Sequence, residues 1–380
     1  MRTQAALYGE IDLELSWSEQ ELPERERTKH VHRLHPYLGK FVPQLAEAFV
    51  RRYAKPGQLI WDPFAGSGTT LVEANAFGAR AAGCDVSAFN CLLMRVKTAR
   101  YEPAALLADV VFLSRPGASA SAESCSPYLE RWFAPRSLAE LLAFRGRISE
   151  TTYPELWSVV LSRSARSARL ARHDDLDFPA EPVQGEYFCH KHRRVCRPVD
   201  EAQKFLDRYV RDTVRRLREF ADVRTAAPVT VLQGDARALD PPEPVDLVVT
   251  SPPYPGLIDY HEQHAYAYEL LGLERRDRDE IGRGTDGYSE GVAAVFARAA
   301  DALRPGGRIV IVVNDRRDLY DGILSGAGLR LEDRFLRHVN RRTGRRNGEF
   351  YEEVLVARPA RRHSSSTRPS APSSLPRQKR

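Results

Sequence analysis

Asp62-Pro-Phe-Ala-Gly-Ser-Gly-Thr-Thr70 is the segment that is most informative about the fold. It directly follows a short apolar run, Gln58–Trp61, and directly precedes a helix-forming segment, Leu71–Phe77. A second apolar run, Ala79–Cys84, ends at Asp85. A strand, a glycine-rich turn, a helix and a second strand together predict a β-α-β unit, in which the two strands belong to a parallel sheet.

Five further apolar runs continue this sheet along the chain. Three are compact and rich in β-branched residues, as in parallel strands that are covered on both faces: Val229–Leu232, Asp246–Thr250 and Arg308–Val313. Two more, Leu329–Val339 and Glu353–Ala357, flank a turn rich in arginine and glycine, which predicts an antiparallel hairpin at the sheet edge. The sequence therefore predicts an α/β fold with a seven-stranded, Rossmann-like sheet, in which five strands are parallel.

A long interruption of this sheet divides the chain. Residues 106–225 must hold structure of their own, because they far exceed an ordinary connection, and apolar residues from Phe205 to Phe220 recur at helical spacing. We predict a mostly helical insertion, for which target recognition is one candidate role. The predicted segments are an N-terminal extension (1–30), the first half of the sheet domain (31–105), the insertion (106–225), the second half (226–360) and a disordered basic tail (361–380).

The composition bears on partners and compartment. The 380 residues are 42% hydrophobic, enough for one large core or one core plus an inserted module, and carry a net charge of +6. This charge favours a polyanionic partner such as nucleic acid. Arginine far outnumbers lysine, which suits phosphate contacts, although a codon bias toward arginine explains this excess equally well. We find no apolar run long enough to span a membrane, no secretory signal, and five scattered cysteines that do not suggest a disulfide framework. We therefore expect a cytoplasmic protein.

The glycine-rich turn predicts a ligand site. Its glycines allow a ligand to approach the backbone closely, and the helix that follows offers free N–H groups. A dinucleotide site would need a third glycine, and a phosphate-binding loop would need a lysine; the turn has neither. The candidate ligand contacts in the turn are Asp62, Phe64, Gly66, Ser67, Gly68 and Thr69.

Two acidic residues extend this candidate site. Asp85 ends the second strand, where a carboxylate accepts hydrogen bonds from the two hydroxyls of a ribose. Asp235 follows the third strand of the sheet and is a candidate contact to the amino group of an adenine. Its alternative role is a helix N-cap.

The turn Ser251-Pro-Pro-Tyr254 ends the fourth strand of the sheet and predicts a receptor for a planar amine. Pro252 and Pro253 fix the backbone and remove two N–H donors, so that the carbonyl of Pro252 becomes a rigid acceptor. Ser251 adds a side-chain oxygen, and Tyr254 offers a flat face for stacking. An exocyclic amine is a poor nucleophile until acceptors on both N–H groups expose its lone pair, so that catalysis depends on positioning.

These motifs resemble those of the amino-group DNA methyltransferases, which use S-adenosylmethionine to make N4-methylcytosine or N6-methyladenine. The resemblance covers residues 32–105 and 226–358. It implies that the 62–70 turn, Asp85 and Asp235 bind the cofactor, and that His35–Pro43, with Tyr37, closes over its methionine end. It also implies that Ser251–Tyr254 acts on a base flipped out of the duplex.

The first residue of the catalytic turn bears on the target base. In the family this residue is Asp or Asn in most adenine enzymes and Ser in most N4-cytosine enzymes, so that Ser251 favours cytosine N4 in DNA. Adenine N6 stays open, as does an RNA or tRNA base, although RNA enzymes often carry an added RNA-binding domain. A nucleic-acid-binding protein on a decayed fold is a third reading, against which the intact pair of turns argues. Restriction-modification and phage defence are both plausible settings.

Cys189-His-Lys-His-Arg-Arg-Val-Cys196 is the most unusual short stretch of the insertion. Cys189, His192 and Cys196 are candidate zinc ligands. Adjacent Cys189 and His190 rarely bind one ion, which leaves the set incomplete. We therefore predict no metal site and favour a basic, DNA-facing turn.

Four arginines recur every three residues in the insertion and predict a basic stripe on a helix: Arg163, Arg166, Arg169 and Arg172. Such a stripe suits phosphate binding. A solvated helix face explains the same spacing equally well.

Overall fold

The computed structural model describes residues 16–17, 21–37, 42–115, 125–176, 179–254, 259–281, 287–339 and 350–360. Its strands are β1 (Leu59–Asp62), β2 (Arg80–Asp85), β3 (Tyr187–Cys189), β4 (Arg194–Cys196), β5 (Val229–Gln233), β6 (Val245–Thr250), β7 (Leu303–Val313), β8 (Leu329–Val339) and β9 (Phe350–Pro359). Its helices are α1 (Glu24–Arg27), α2 (Pro43–Tyr53), α3 (Thr69–Phe77), α4 (Ala88–Thr98), α5 (Pro103–Ser114), α6 (Pro127–Trp132), α7 (Pro135–Ile148), α8 (Pro154–Ala168), α9 (Gln203–Ala221), α10 (Tyr260–Gln263), α11 (Ala265–Leu271), α12 (Tyr288–Ala302) and α13 (Tyr320–Gly326), with short 3-10 helices at His30–Arg33 and Asp277–Asp279.

The main sheet has seven strands in the order β5-β2-β1-β6-β7-β9-β8. The first five of these are parallel, and β9 runs antiparallel to both β7 and β8. The predicted Rossmann-like sheet with five parallel strands and an antiparallel hairpin is confirmed.

Both faces of the sheet are buried. Side chains alternate between the two faces along each central strand, and each face packs against its own core. Along β6, Leu247 and Val249 pack into the same core as Phe49 of α2. Val248, between them, faces the opposite side and packs in the core that contains Phe296 of α12. This two-sided burial explains why the parallel strands are apolar throughout rather than alternating with polar residues.

The insertion is mostly helical, as predicted, and shares its core with the sheet domain. Trp157 of α8 and Leu206 of α9 belong to one buried cluster with Phe89 of α4 and Tyr266 of α11. The boundary predicted between residues 105 and 106 is wrong in detail, because it falls inside α5. The boundary predicted between residues 30 and 31 likewise falls inside a 3-10 helix. Long excursions in a sequence do not show which helices pack back onto the neighbouring domain.

The predicted arginine stripe does not form. Helix α8 ends at Ala168, so that Arg169 and Arg172 lie beyond it. Arg163 pairs with Asp212 of α9 at 2.7 Å, and Arg169 is buried with its guanidinium 4.5 Å from the ring centroid of Tyr266. Arg163 thus joins two helices of the insertion, and Arg169 joins the insertion to α11 of the sheet domain, so that neither lies on an exposed helix face.

Several predictions fall where the structure gives no description. The turn within 341–348, the basic tail 361–380 and most of the extension 1–30 lie outside the described residues. Among the described residues, no helix combines the length and the apolar composition that a bilayer crossing requires.

Candidate active site

The loops that carry the predicted motifs meet at one edge of the sheet. β1 pairs in parallel with β2 on one side and with β6 on the other, and β5 lies beyond β2. All four strands therefore end at the same edge. The strand order reverses between β1 and β6, and open α/β sheets bind ligands in the crevice at such a switch point.

A cavity of about 780 Å³, including its open mouth, lies in this crevice. Pockets that hold small molecules span about 300–1,000 Å³. The predicted site residues that line it are Tyr37, Phe64, Gly66, Ser67, Thr69, Asp85, Asp235, Ser251 and Pro253. Four predicted site residues are not among its described lining: Asp62, Gly68, Pro252 and Tyr254.

Gly66 and Gly68 have different roles in the glycine-rich turn. Gly66 has a φ of +50°, and a Cβ added there would lie 3.1 Å from the hydroxyl of Tyr37. Gly68 has a φ of +80°, and a Cβ there would lie 2.9 Å from Cγ of Met94. A side chain at position 66 would therefore crowd Tyr37 at the cavity, whereas the absence of one at Gly68 lets α4 pack closely against the start of α3.

A buried lysine supports the turn from behind. Nζ of Lys97, on α4, donates a hydrogen bond to the carbonyl of Ser67 at 2.6 Å. The Lys97 side chain is completely buried. No sequence pattern predicts this contact, because a lysine in an amphipathic helix is usually exposed.

Asp62 ties the two motif loops together instead of lining the cavity. Its carboxylate accepts a hydrogen bond from the Thr250 hydroxyl at 2.6 Å and another from the N–H of Phe64 at 3.1 Å. The hydroxyl of Thr70 also donates to the carbonyl of Val249 at 3.0 Å. Burial raises the pKa of Asp62 to about 6, although these hydrogen bonds lower it. The hydrogen bonds between Asp62 and Thr250 and between Thr70 and Val249 hold the ends of β1 and β6 in register.

Replacing Thr250 with valine is expected to lower the free energy of unfolding by about 1.5–3 kcal/mol, the value of a hydrogen bond to a charged group. The matched control is Thr250→Ser, which keeps the hydroxyl and loses only a methyl group. Urea denaturation of both variants measures the effect. Equal losses for valine and serine would show that the Asp62–Thr250 hydrogen bond contributes nothing.

Asp85 lies at the centre of the crevice. Its carboxylate accepts hydrogen bonds from the N–H of Gly66 at 3.0 Å and from the N–H of Ser87 at 2.8 Å. Burial raises the pKa of Asp85 to about 6, although these hydrogen bonds lower it. The free protein thus holds a carboxylate that is poorly solvated, and a ligand with hydroxyl donors would stabilise its ionised form.

Asp235 lies beside the cavity with its carboxylate held by a neighbouring arginine. Arg237 donates from Nη2 at 2.7 Å and from Nε at 2.9 Å to Oδ2. Burial raises the pKa of Asp235, but the hydrogen bonds from Arg237 outweigh it, so that the pKa lies below its usual value. Oδ1 also accepts the backbone N–H of Arg237 at 2.8 Å. The alternative role as a helix N-cap is wrong, because a turn and not a helix follows Asp235 in the described residues between β5 and β6.

The segment that carries Tyr37 is anchored to the sheet domain. His32 and Lys29 both contact the buried carboxylate of Glu73 on α3, at 2.7 and 2.8 Å. Tyr37 then stacks on His264, with ring centroids 5.6 Å apart, and its hydroxyl accepts a hydrogen bond from Asn90 at 3.1 Å. The described part of the segment predicted to close over the ligand therefore reaches the cavity at Tyr37; residues 38–41 lie outside the described residues.

The Ser-Pro-Pro-Tyr turn is fixed by hydrogen bonds from two directions. The hydroxyl of Ser251 donates to the carbonyl of Val312 on β7 at 2.9 Å. The hydroxyl of Tyr288 donates to the carbonyl of Pro253 at 3.0 Å, and it lies 2.8 Å from the hydroxyl of Tyr320. Because Ser251 donates its only hydroxyl proton to Val312, its oxygen keeps only acceptor capacity for a further hydrogen bond.

Some lining residues had no signal in the sequence. Asn90 lies on α4, and Asp279 and Glu280 lie at the end of the 3-10 helix before α12. Asp279 pairs with Arg276 at 2.6 Å, and Glu280 pairs with His261. These residues belong to no motif, and only the folding of distant segments brings them to the crevice.

Two buried polar atoms of the lining have no hydrogen-bond partner among the described residues. They are Oγ of Ser67 and Oδ1 of Asn90, and both residues are about 2% exposed. An unpaired buried polar atom is costly, and a polar ligand would satisfy it. A ligand with ribose hydroxyls and an amino-acid end fits this lining, because it combines the carboxylate of Asp85 and these two unpaired oxygens with the apolar side chains of Phe64 and Ile281.

This sheet, with a glycine-rich turn after β1 and acidic residues after β2 and β5, defines the class of S-adenosylmethionine-dependent methyltransferases. A model of the DNA methylase family matches residues 8–94. The type II methyltransferase M.MjaII of Methanocaldococcus jannaschii is 34% identical over 88% of this chain and 81% of its own length. The chain therefore belongs to the amino-group DNA methylase family, and its cofactor is S-adenosylmethionine.

Two other proteins are similar at a lower level. The type II methyltransferase M.MvaI of Kocuria varians is 27% identical over 59% of this chain, which spans about half (53%) of that protein. Among solved structures, TrmN from Thermus thermophilus is 15% identical, with a TM-score of 0.36, over 85% of this chain and 50% of that chain.

The raised pKa of Asp85 predicts a pH-dependent affinity for the cofactor. With a pKa of about 6 in the free protein, roughly a tenth of this carboxyl is ionised at about pH 5, so that S-adenosylmethionine should bind about tenfold more weakly there than at about pH 7.5. The sign for stability is opposite: a raised pKa favours the folded state at low pH, and this contribution is lost as the pH rises through about 6. Calorimetric titration at the two pH values measures the affinity.

The control for this prediction is Asp85→Asn, which carries no titrating proton. Its affinity should be weak and nearly independent of pH over the same range. A wild-type dissociation constant that is equal at both pH values, or an equal slope in Asp85→Asn, would rule out Asp85 as the titrating contact.

Proposed function

We propose that this chain is a site-specific DNA methyltransferase that transfers a methyl group to N4 of cytosine. The observation that carries the proposal is the hydrogen bond from Ser251 to the carbonyl of Val312. It commits the hydroxyl proton away from the cavity, so that the oxygen is free to accept an N–H of the target amine. A serine in this position is the residue found in most N4-cytosine members of the family.

The chain's own residues activate the amine by position. Ser251 accepts one N–H, and the carbonyl of Pro252 is the proposed acceptor for the other, which draws the nitrogen toward tetrahedral geometry. The hydrogen bond from Tyr288 to Pro253 keeps this turn rigid. Tyr254 is proposed to stack on the flipped base. Preorganised acceptors of this kind contribute to the rate because they need not reorganise during the reaction.

The cofactor is proposed to lie along the edge from β5 to β6. Asp85 would accept the ribose hydroxyls, Asp235 would contact the adenine amino group, and Tyr37, Ser67 and Asn90 would surround the methionine end. Bound S-adenosylmethionine supplies an electrophilic methyl group.

The choice of DNA and of a specific site rests on the relatives. M.MjaII and M.MvaI are both named type II methyltransferases. We propose that this chain likewise acts on DNA within a restriction-modification system. The named relatives do not separate cytosine N4 from adenine N6, so that the choice of base rests on Ser251.

The test is transfer of tritium from labelled S-adenosylmethionine to unmethylated DNA and, separately, to RNA. The labelled nucleic acid is digested to nucleosides and the products are separated. Label in N4-methylcytosine from DNA supports the proposal. Label in N6-methyladenine would correct the base, and label only in RNA would overturn the choice of DNA. Asp85→Asn serves as the control that loses label in every product.

A further inference from the structure

The insertion contains a cluster of metal-binding side chains outside the methyltransferase site. β3 and β4 form a hairpin in which Tyr187 pairs with Cys196 and Cys189 pairs with Arg194. His192 lies in the turn of this hairpin, and His173 comes from the segment after α8. One ligand atom from each of Cys189, His192, Cys196 and His173 lies within 4.8 Å of the other three.

We propose that His173, Cys189, His192 and Cys196 bind one zinc ion that stabilises the β3–β4 hairpin. The sequence alone identifies three of these residues as candidate zinc ligands, and it does not identify a fourth. His173 lies sixteen positions before Cys189 and belongs to no spacing motif, so that only the fold brings it to the hairpin.

The distances between the ligand atoms match a tetrahedral zinc site. Nδ1 of His192 lies 3.5 Å from Sγ of Cys189 and 3.5 Å from Sγ of Cys196. Zinc–sulfur bonds of about 2.3 Å and zinc–nitrogen bonds of about 2.0–2.1 Å in a tetrahedron place sulfur and nitrogen about 3.5 Å apart. The two sulfur–nitrogen edges are therefore already at the length that the metal requires.

The fourth ligand is held in place with its ring nitrogen unsatisfied. The backbone N–H of His173 donates to the hydroxyl of Tyr187 at 2.9 Å. Nδ1 of His173 is buried and has no hydrogen-bond partner among the described residues. Its ring lies edge-on to that of His192, with centroids 5.0 Å apart. An unsatisfied imidazole nitrogen beside two thiols and a second imidazole indicates that the four side chains bind one metal ion.

The neighbouring residues lock the loop that carries His173 against the hairpin. Asp174 accepts the backbone N–H of His190 at 2.9 Å. Arg172 donates to the carbonyl of Phe188 at 2.7 Å, and its guanidinium lies 5.1 Å from the ring centroid of Tyr187. Such contacts orient metal ligands before the ion binds.

The hairpin needs a source of stability beyond its own packing. β3 and β4 have three residues each, and their buried cluster consists of Tyr187, Cys189 and Cys196 with Val183 against it. A two-stranded hairpin is marginal in water by itself. Four protein ligands with two thiolates favour zinc over harder cations and leave no open position, which is the pattern of a structural site.

The test uses the full chain, purified under reducing conditions. Zinc content is measured by mass spectrometry after incubation with equimolar Zn²⁺ and desalting, and we expect about one zinc ion per chain. Replacement with Co²⁺ should give the intense visible bands of tetrahedral coordination and a thiolate-to-cobalt charge-transfer band. These wild-type measurements need no variant, so that they do not depend on whether a variant folds.

Variants then assign the ligands. Cys196→Ser should halve the charge-transfer band and lower zinc affinity by at least about 100-fold. Cys125→Ser, a free thiol elsewhere in the insertion, should leave both unchanged. His173→Ala should lower affinity while keeping the full charge-transfer band. Metal-free wild-type protein after the incubation, a Cys189–Cys196 disulfide, or an octahedral cobalt spectrum would each overturn the proposal.

Discussion

Replacing Ser251 with alanine is expected to lower kcat for methyl transfer by about 10²–10³-fold, the usual cost of removing one preorganised hydrogen-bonding group from an active site. Its oxygen is the proposed acceptor for the target amine, and its proton is committed to the carbonyl of Val312 at 2.9 Å. The cofactor affinity should stay within about twofold of wild type, because the contact acts in the transition state and not on the cofactor. Single-turnover transfer and calorimetric titration measure the two quantities separately.

The matched control is Ser158→Ala. The Ser158 hydroxyl also donates to a backbone carbonyl, that of Pro154 at 2.9 Å, but this residue is half-buried on α8 and does not line the cavity. Its removal should change neither kcat nor cofactor affinity. Ser251→Ala with near-normal turnover would remove the serine from the catalytic machinery. A loss of cofactor affinity as large as the loss of kcat would place it in the cofactor site instead.

Replacing Gly66 with alanine is expected to weaken S-adenosylmethionine binding by about 30- to 100-fold, which corresponds to about 2–3 kcal/mol. A φ of +50° disfavours any side chain, and the new Cβ would lie 3.1 Å from the hydroxyl of Tyr37. Tyr37 must then move, and its hydrogen bond with Asn90 is weakened. The N–H of Gly66 also donates to Asp85, so that a shift of the turn disturbs the proposed ribose contact. Calorimetric titration gives the affinity.

Gly57→Ala separates backbone strain from crowding of the cavity. Gly57 has a φ of +83°, and a Cβ added there meets no atom within 4 Å. It should lower stability by about 1–2 kcal/mol without weakening cofactor binding. If Gly57→Ala and Gly66→Ala weaken binding equally, crowding at Tyr37 is not the cause.

The sheet and the motif loops can be predicted because each is determined by residues that are close together in the sequence. β-branched runs mark the parallel strands, and the turns after β1 and β6 carry residues whose geometry is fixed by glycine and proline. The parallel order of the strands then brings the ends of β1, β2, β5 and β6 to one edge. The meeting of the 62–70 turn with Ser251 follows from this order alone.

The roles of individual residues were less predictable, because they depend on contacts between distant segments. Asp62 was predicted as a ligand contact, but the structure pairs it with Thr250 across the strands. Lys97 and Asn90 lie on an ordinary amphipathic helix and reach the site only because α4 packs beneath it. The predicted arginine stripe is wrong in part because Arg163 pairs with Asp212 on α9, which lies 49 positions away in the sequence. His173 joins the hairpin cysteines for the same reason.

We propose that one crevice, between the loops after β1 and β6, holds S-adenosylmethionine and the target amine side by side. A crystal structure with S-adenosylhomocysteine and a DNA duplex would show both ligands at once. We expect the ribose on Asp85 and an extrahelical base whose exocyclic nitrogen contacts Ser251, on the side that faces the cofactor sulfur. A cofactor bound elsewhere, or a base whose amine lies away from Ser251, would disprove this arrangement.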